Sequence, residues 1–213
     1  MKKILSSPES PIFLKGRGME EDKAANALIG LHRQIVKYFY SGKSRDFKAY
    51  SDDSDGTIVK PVLIVAEQGG SNAALTFLDD GMGVEIGYPL LTREEASDMH
   101  VKFAMAHELG HAFSLRLANL INMPGLSGPR MEVIADLGAV FALIKSGEQW
   151  GDIMSAVRSG ERIIFDSRWN GDHPPAADRV EYIKGLESKS LSNVESFTEQ
   201  VQRIIRKVPI NPF

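Results

Sequence analysis

Apolar residues recur at helical spacing along much of the chain. Between residues 19 and about 40 the spacing is that of one face of an amphipathic helix, with apolar positions at Ala24, Leu28, Leu31, Ile35 and Tyr38. Further apolar patterns and helix-boundary residues predict five more helices, at about 93–120, 130–145, 148–157, 174–187 and 192–207. Helices are therefore expected to make up most of the regular structure.

The ends of these helices carry recognisable boundary residues. The segment from Thr92 to Glu95 has the spacing of a capping box and predicts the start of the second helix. Gly147 stands where a C-cap is expected after the third helix. Asp172 is the candidate N-cap of the helix that Pro174 and Pro175 open.

The stretch between the first two helices predicts a small sheet. Residues 61–66 form a continuous run of β-branched and other apolar residues, which is typical of a buried strand. Residues 72–78 and 82–88 are predicted as two further strands, and Asp80-Gly81 between them is a strong hairpin turn signal. A small sheet beside many helices predicts an α+β fold.

The predicted elements form one compact domain with a short segment at each end. Residues 1–18 are rich in serine, proline, lysine and glycine and are expected to form a flexible leader. Residues 19–188 contain the predicted sheet and all helices but the last, and they are expected to form the domain itself. Residues 189–213 are predicted to form a C-terminal helical extension.

Composition narrows the class of protein. The chain has 213 residues, of which 43% are hydrophobic and 25% are charged, and this balance is typical of a soluble globular protein. Lys and Arg number 25 and Asp and Glu number 28, so the net charge of −3 gives no reason to expect a nucleic-acid partner. No run of about 18 apolar residues exists, so no integral membrane association is expected.

The chain contains no cysteine, which excludes disulfides, thiolate catalysis and cysteine-ligated zinc. The first residues begin like a signal peptide, but no apolar stretch of the required length follows them. We therefore expect a cytoplasmic protein, and export by a route without a cleavable signal stays open. The sequence predicts no particular oligomeric state.

The chemically informative segment is His107-Glu108-Leu109-Gly110-His111. Two histidines four residues apart lie one turn apart on the same face of a helix, so their imidazoles can bind one tetrahedral metal ion. Glu108 is rotated by about 100° from His107, where its carboxylate can reach a water molecule on that metal. This is the HExxH arrangement of zinc metalloproteases, although a chance match on an ordinary helix is the alternative.

Gly110 stands inside the predicted metal-binding helix. A glycine in a helix interior costs about 1 kcal/mol relative to alanine. We therefore expect a neighbouring element to pack against this position too closely for a side chain.

A catalytic zinc site needs a third protein ligand. In a chain without cysteine it must be His, Asp or Glu, and Glu132 at the start of the next predicted helix is the candidate. An antiparallel helix pair would bring Glu132 beside His107 and His111. Asp136 lies on the same face as Glu132 and can accept the free ring N–H of a zinc-bound histidine. The alternative for these two carboxylates is a buried salt bridge to an arginine.

These segments resemble the gluzincin peptidases, in which a Glu-x-x-x-Asp helix follows an HExxH helix. Within that group the chain is most similar to the HtpX and CAAX-prenyl-protease family, over residues 60–185. The supporting segments are Asn72-Ala73, Gly83–Ile86, Leu90-Leu91, Leu137-Gly138, and His173-Pro174 followed by Arg179. Many members of that family are membrane proteins, whereas this chain has no predicted transmembrane helix.

The resemblance implies a zincin-like metallopeptidase domain and a zinc-dependent endopeptidase that acts on a protein or peptide. It implies a Zn²⁺ ion held by His107, His111 and Glu132, with a water molecule in the fourth position and Glu108 as the general base. By the same resemblance, His173 is the candidate donor to the developing oxyanion, and Arg179 is expected to orient an acidic partner. Gluzincins bind peptides along a sheet edge, which implies substrate contacts at Asn72 and Ala73.

Two other functions stay open at this point. The segment from Phe103 to His111 is equally similar to the ImmA/IrrE family, whose members cleave one transcriptional regulator. A zinc-bound module without proteolytic activity, which serves as an interaction domain, is the alternative outside the enzymes. The presence of every catalytic residue type argues against that module.

Overall fold

The fold is described from a computed structural model of the chain. The structure describes residues 2–5, 21–39, 61–66, 73–78, 81–92, 95–123, 126, 128–160, 163–164 and 173–209. Its strands are β1 (Lys2–Leu5), β2 (Val62–Ala66), β3 (Ala73–Leu78) and β4 (Gly81–Gly87). Its helices are α1 (Glu21–Phe39), α2 (Tyr88–Thr92), α3 (Asp98–Leu120), α4 (Pro129–Lys145), α5 (Trp150–Ser159), α6 (Ala176–Lys184) and α7 (Val194–Ile205), with a 3₁₀ helix at Ser188–Ser192. The predicted α+β class is confirmed.

The four described strands form one sheet in the order β1-β2-β4-β3. Strands β1 and β2 are antiparallel, β2 and β4 are parallel, and β3 and β4 form an antiparallel hairpin. In that hairpin Leu75 lies opposite Val84, and Leu78 lies opposite Gly81. The predicted turn residue Asp80 lies outside the described residues. Strand β3 is an edge strand, so one side of its backbone faces away from the sheet.

Strand β1 was missed by the sequence analysis, which assigned residues 1–18 to a leader. Lys2–Leu5 pairs with residues 63–66 of β2, with Ile4 opposite Ile64. A four-residue strand is too short for its alternation to be recognised, and its partner lies about sixty residues away in the chain. Residues 6–18 of the predicted leader lie outside the described residues.

The predicted start of the helix that carries His107 and His111 was wrong. Thr92 ends the short helix α2, and α3 begins only at Asp98. The reciprocal contact expected of a capping box occurs at this later position, because the Ser97 backbone N–H donates to His100 Nδ1 over 2.9 Å. The side chain of His100 therefore plays the part that the sequence analysis gave to Glu95.

The predicted helix from Arg130 to Lys145 is confirmed as α4, which begins one residue earlier at Pro129. Gly147 follows it with a φ of +100°, and the Glu148 N–H donates to the Leu143 carbonyl over 3.0 Å. This pattern is a Schellman C-cap, in which glycine adopts the left-handed conformation without strain. Asp172, the expected N-cap of α6, lies outside the described residues.

The core lies where α3 and α4 pack against each other and against α1. Phe103, Met105 and Phe141 are among its fully buried side chains. Helix α7 belongs to the same core, since Phe197 is buried and its ring lies 4.5 Å from the ring of Phe141. The segment that the sequence analysis set apart as a C-terminal extension thus packs on α4. None of the described helices combines the length and the apolar character needed to cross a membrane.

Candidate metal centre

Helices α3 and α4 bring three potential ligands to one point. His107 and His111 lie one turn apart on α3, and Glu132 lies in the first turn of α4. The Nε2 atoms of the two histidines are 2.9 Å apart. Glu132 Oε2 is 3.4 Å from His107 Nε2, and Glu132 Oε1 is 3.4 Å from His111 Nε2. Among the described residues, these three side chains form the one group whose geometry could hold a metal ion.

A close helix crossing makes this convergence possible. A Cβ atom at Gly110 would lie 2.7 Å from the Ala135 carbonyl oxygen and 2.8 Å from the Ala135 Cα atom. Real Cβ atoms do not approach backbone atoms so closely, so α4 packs directly on the backbone of α3. The expectation that a neighbour excludes a side chain at Gly110 is confirmed.

Glu132 has an unsatisfied oxygen at the centre of the group. Among the described residues, its Oε2 is the one buried side-chain nitrogen or oxygen atom without a hydrogen-bond partner. A buried acceptor without a partner costs roughly 1–3 kcal/mol. The imidazole nitrogens of His107 and His173 lie 3.4 and 3.3 Å from this oxygen. A cation between the imidazoles and the carboxylate would satisfy it.

Asp136 orients the first of the two histidines. Its Oδ1 lies 2.8 Å from His107 Nδ1, and its side chain is fully buried. Arg179 of α6 donates to both carboxylate oxygens, from Nε over 2.7 Å and from Nη2 over 2.6 Å. Both alternatives weighed for Asp136 therefore occur together, because it bonds the ring of His107 and also forms a buried salt bridge. With Nδ1 turned to Asp136, the Nε2 atom of His107 faces His111.

The same network sets the protonation of His107. Burial disfavours the charged imidazole, but the hydrogen bond and charge of Asp136 outweigh it and raise the pKa of His107 to about 10. Burial also works against a charged Asp136, yet the charge and hydrogen bonds of Arg179 hold the pKa of that carboxyl well below its usual range. Asp136 therefore remains an anion at neutral pH and holds the proton on His107 Nδ1.

The pKa values of the other two candidate ligands, His111 and Glu132, are lowered. Burial, followed by the charge of His107, lowers the pKa of His111 to about 4. Burial would raise the pKa of Glu132, but the neighbouring charged imidazole of His107 outweighs it and lowers that pKa. At neutral pH His111 is thus neutral and Glu132 is ionised, which are the forms that bind a metal.

Glu108 lies beside the group but is not one of its ligands. Its Oε2 accepts a 2.8 Å hydrogen bond from the backbone N–H of Leu75 in β3. Burial raises the pKa of Glu108, against the opposing effects of the His107 charge and the Leu75 hydrogen bond. A half-buried carboxylate of raised pKa next to a metal site has the properties of a general base.

The remaining predicted site residues differ in where they lie. His173 precedes α6 and brings its Nε2 atom to the edge of the group, with 40% of its side chain exposed. Arg179 contacts Asp136, as expected for a residue that orients an acidic partner. Ala73 begins β3, two residues before Leu75, and Asn72 lies outside the described residues. The structure thus brings His173 and Arg179 to the site and gives no direct contact between Ala73 and the ligands.

One contact in the site and the helix cap at His100 were not foreseen from the sequence. The contact from Leu75 to Glu108 uses a backbone N–H, which every residue except proline carries, so no side-chain pattern could reveal it. His100 lies outside the metal group, and its Nε2 is 3.0 Å from Ser159 Oγ at the end of α5. The Ser97-x-x-His100 spacing, which resembles a capping box, is the signal that could have revealed its role.

The chain was compared with protein-family models, with curated proteins and with solved structures, and none of the three comparisons gave a match.

Proposed function

We propose that this protein is a zinc-dependent endopeptidase with a zincin-like fold. The observation that carries the proposal is the convergence of His107, His111 and Glu132, with the carboxylate of Glu108 beside them. The HExxH segment supplies two of the three ligands and the base, and α4 supplies the third ligand. The pairing of Asp136 with His107 supports the proposal, because zinc-binding histidines donate their other ring N–H to a carboxylate.

Two of the three separations between candidate ligand atoms fall in the range expected for zinc. Zinc–nitrogen and zinc–oxygen bonds of about 2.0–2.2 Å in a tetrahedron place neighbouring ligand atoms about 3.3–3.5 Å apart. The carboxylate of Glu132 lies 3.4 Å from His107 Nε2 through Oε2 and 3.4 Å from His111 Nε2 through Oε1, whereas the two Nε2 atoms are closer, at 2.9 Å. Two imidazoles and one carboxylate are also the ligand set of many catalytic zinc sites, in which a fourth position is left to water or substrate.

When bound, zinc lowers the pKa of a water molecule to about 7 and polarises a carbonyl group. Glu108 takes one proton from the attacking water as the oxygen of that water bonds to the scissile carbonyl carbon. Glu108 then delivers that proton to the amide nitrogen as the C–N bond breaks, so that the products are a carboxylic acid and an amine. The raised pKa of Glu108 suits a group that both accepts and returns a proton.

His173 and Arg179 support this chemistry from the α6 side. His173 stands at the border of the ligand group and is partly exposed, so its ring N–H can donate to the oxyanion that develops on the substrate. Arg179 acts at one remove. It fixes Asp136, which in turn fixes the orientation of the His107 ring.

The substrate that suits the site is an extended peptide. Among the described strands, β3 lies at an edge of the sheet and reaches Glu108, and a peptide can pair with such an edge through its main-chain hydrogen bonds. Ala73 lies on this edge and is proposed to contact the substrate together with Asn72. Pairing through the main chain would bind a peptide of any sequence. Side-chain pockets along the edge would then determine which substrate sequences are preferred.

The proposal is tested by pairing metal analysis with proteolysis. Wild-type protein, the Glu108→Gln variant and the Glu132→Ala variant are purified without added chelator, and their zinc content is measured by elemental analysis. Each is then incubated with a cell extract, in which new protein N-termini are counted. We expect about one zinc per chain and cleavage for wild type, zinc without cleavage for Glu108→Gln, and loss of both for Glu132→Ala.

Glu181→Gln is the matched control, because this glutamate lies on the exposed face of α6 and pairs with Lys184. It should retain both zinc and cleavage. Wild-type protein that binds zinc yet yields no new N-termini would refute the endopeptidase and leave a metal-binding module. Wild-type protein without zinc, and with no affinity for added zinc, would refute the metal site itself.

A further inference from the structure

The free edge of the sheet ends at the proposed general base. Among the described strands, β3 pairs with β4 alone. The Leu75 N–H donates to Glu108 Oε2 over 2.8 Å, so it points away from β4. Backbone groups alternate in an antiparallel ladder, and therefore the N–H groups of residues 73 and 77 share this free edge while those of residues 74 and 76 face β4.

The carboxylate that this N–H contacts lies at the end of the long Glu108 side chain. That side chain has several rotatable bonds, and Glu108 is only partly buried on α3. Glu108 is not one of the proposed metal ligands, because it projects from a different face of α3 than His107 and His111. A general base must remain within hydrogen-bond reach of the proton it takes, and a fixed donor limits the orientations of its carboxylate.

We propose that the backbone N–H of Leu75 is a positioning group for Glu108 that couples the edge of the sheet to catalysis. The inference rests on the proposed function, in which Glu108 is the general base. Because Leu75 acts through Glu108, it affects turnover and not the binding of the metal. The candidate ligands lie on α3 and α4. Among the described residues, none of their hydrogen bonds reaches β3.

A proline substitution can remove this donor selectively. Proline lacks a backbone N–H and is tolerated in edge strands where that N–H is not part of the ladder. At Leu75 the N–H faces away from β4, so Leu75→Pro removes the bond to Glu108 without removing a bond between β3 and β4. The preceding residue Ala74 already has the extended conformation that proline favours before it.

The experiment compares Leu75→Pro with Leu75→Ala and with wild type on a peptide that the wild-type enzyme cleaves. Zinc content, melting temperature, kcat and KM are measured for each. We expect Leu75→Pro to keep about one zinc per chain and a KM within about threefold of wild type. Its kcat should fall by about tenfold to a hundredfold, since small displacements of catalytic groups have effects of this size. Leu75→Ala keeps the N–H and should lose less kcat than Leu75→Pro.

Phe77→Pro is the control for proline in this strand. Its N–H lies on the edge that is proposed to pair with the peptide, so Phe77→Pro is expected to raise KM. That N–H is not the partner of Glu108, so kcat should stay near the wild-type value. If Leu75→Pro folds poorly, the α-hydroxy acid of leucine is introduced at position 75. This replacement exchanges the N–H for an ester oxygen and keeps the leucine side chain, and the same fall in kcat is expected.

The results separate this inference from the proposed function. A wild-type enzyme that cleaves the peptide, together with a Leu75→Pro or hydroxy-acid variant of wild-type kcat, overturns the inference alone. Equal losses in Leu75→Pro and Leu75→Ala also overturn it, because the side chain would then be responsible. Zinc-loaded wild type that cleaves no peptide overturns the proposed function and the inference together.

Discussion

At the scale of single residues, the histidines show how position decides chemistry. His107 is held by a carboxylate and gains protons easily, whereas burial lowers the pKa of His111 and of His32 to about 4 in each case. His100 is also buried, and it accepts the Ser97 N–H through Nδ1. Its proton is therefore on Nε2, which faces Ser159 Oγ, so His100 cannot act as a base toward that serine. The same side chain is a candidate metal ligand, a helix cap or a core residue according to its neighbours.

The cap formed by His100 predicts sensitivity to acid. Burial lowers the pKa of His100 below its usual 6.5, so the unfolded chain takes up a proton before the folded protein does. The contribution of this residue to stability is therefore complete above about pH 6.5 and declines as the pH falls below that value. A glutamine at this position keeps an acceptor for the Ser97 N–H and does not titrate. We expect the melting temperature of His100→Gln to fall less than that of wild type when the pH is lowered from 7.5 to 5.5.

The comparison at pH 8 provides the internal control for this prediction. There His100 is neutral in both states, and the variant should lie within about 1 kcal/mol of wild type. Part of the acid sensitivity should remain in the variant, because His32 is also buried with a lowered pKa. Parallel curves of melting temperature against pH for the two proteins would show that His100 does not contribute.

At the scale of elements, the site depends on how closely α3 and α4 approach. The two helices cross where Gly110 of α3 contacts the backbone of Ala135 of α4. Gly110 stands between His107 and His111 in the sequence, and Ala135 lies one turn beyond Glu132. The Asp136 bond to His107 spans the same crossing. Distances within the metal group are therefore set by helix packing, and a small increase in the helix separation changes all of them.

This dependence predicts a strong effect of one methyl group. Gly110→Ala would place a Cβ atom 2.7 Å from a backbone oxygen, which cannot rotate away as a side chain can. We expect a net destabilisation of roughly 1–3 kcal/mol from overpacking, together with weaker zinc binding as the helices separate. Thermal unfolding and zinc titration measure the two effects.

Gly30 in α1 offers the matched control, since a Cβ atom there meets nothing within 4 Å. Gly30→Ala should raise stability by roughly 0.5–1 kcal/mol, because alanine favours the helix and glycine does not. Zinc affinity should be unchanged in that variant. A stable Gly110→Ala protein with wild-type zinc affinity would mean that the crossing does not control the site.

The elements also show what could be read from the sequence and what could not. Helix α4 and the convergence of Glu132 with the HExxH histidines followed from local spacing, because periodicity and capping act over a few residues. The pairing of β1 with β2 and the parallel pairing of β2 with β4 join distant segments, and no local pattern encodes such a register.

The start of α3 was misplaced because a capping-box spacing occurs at Thr92 and the functional cap at Ser97 uses a histidine. The contact from Leu75 to Glu108 depends on where the sheet edge lies relative to α3, which is a property of the tertiary structure.

At the scale of the whole molecule, the site joins parts of the chain that are far apart in sequence. Its residues come from β3, α3, α4, α6 and the segment leading into α6, from Leu75 to Arg179. Helix α7 supports the same assembly from behind, where Phe197 packs on Phe141 of α4. A ligand that binds the assembled site and not the unfolded chain stabilises the whole fold by RT ln(1 + [L]/Kd). Metal binding and global stability are therefore linked.

This linkage predicts that a chelator lowers the melting temperature of the entire protein. At a free zinc concentration of 100 times Kd the expected stabilisation is about 2.7 kcal/mol, which corresponds to roughly 5–10 °C for a chain of this size. His111→Ala removes a ligand without touching the pair of Asp136 and Arg179, so it should melt near the chelated wild type and show no further response to chelator. Glu181→Gln should respond as wild type does. Because a metal that binds only the surface would not link these distant segments, a wild-type melting curve that is the same with and without chelator would contradict the site even if zinc were found in the preparation.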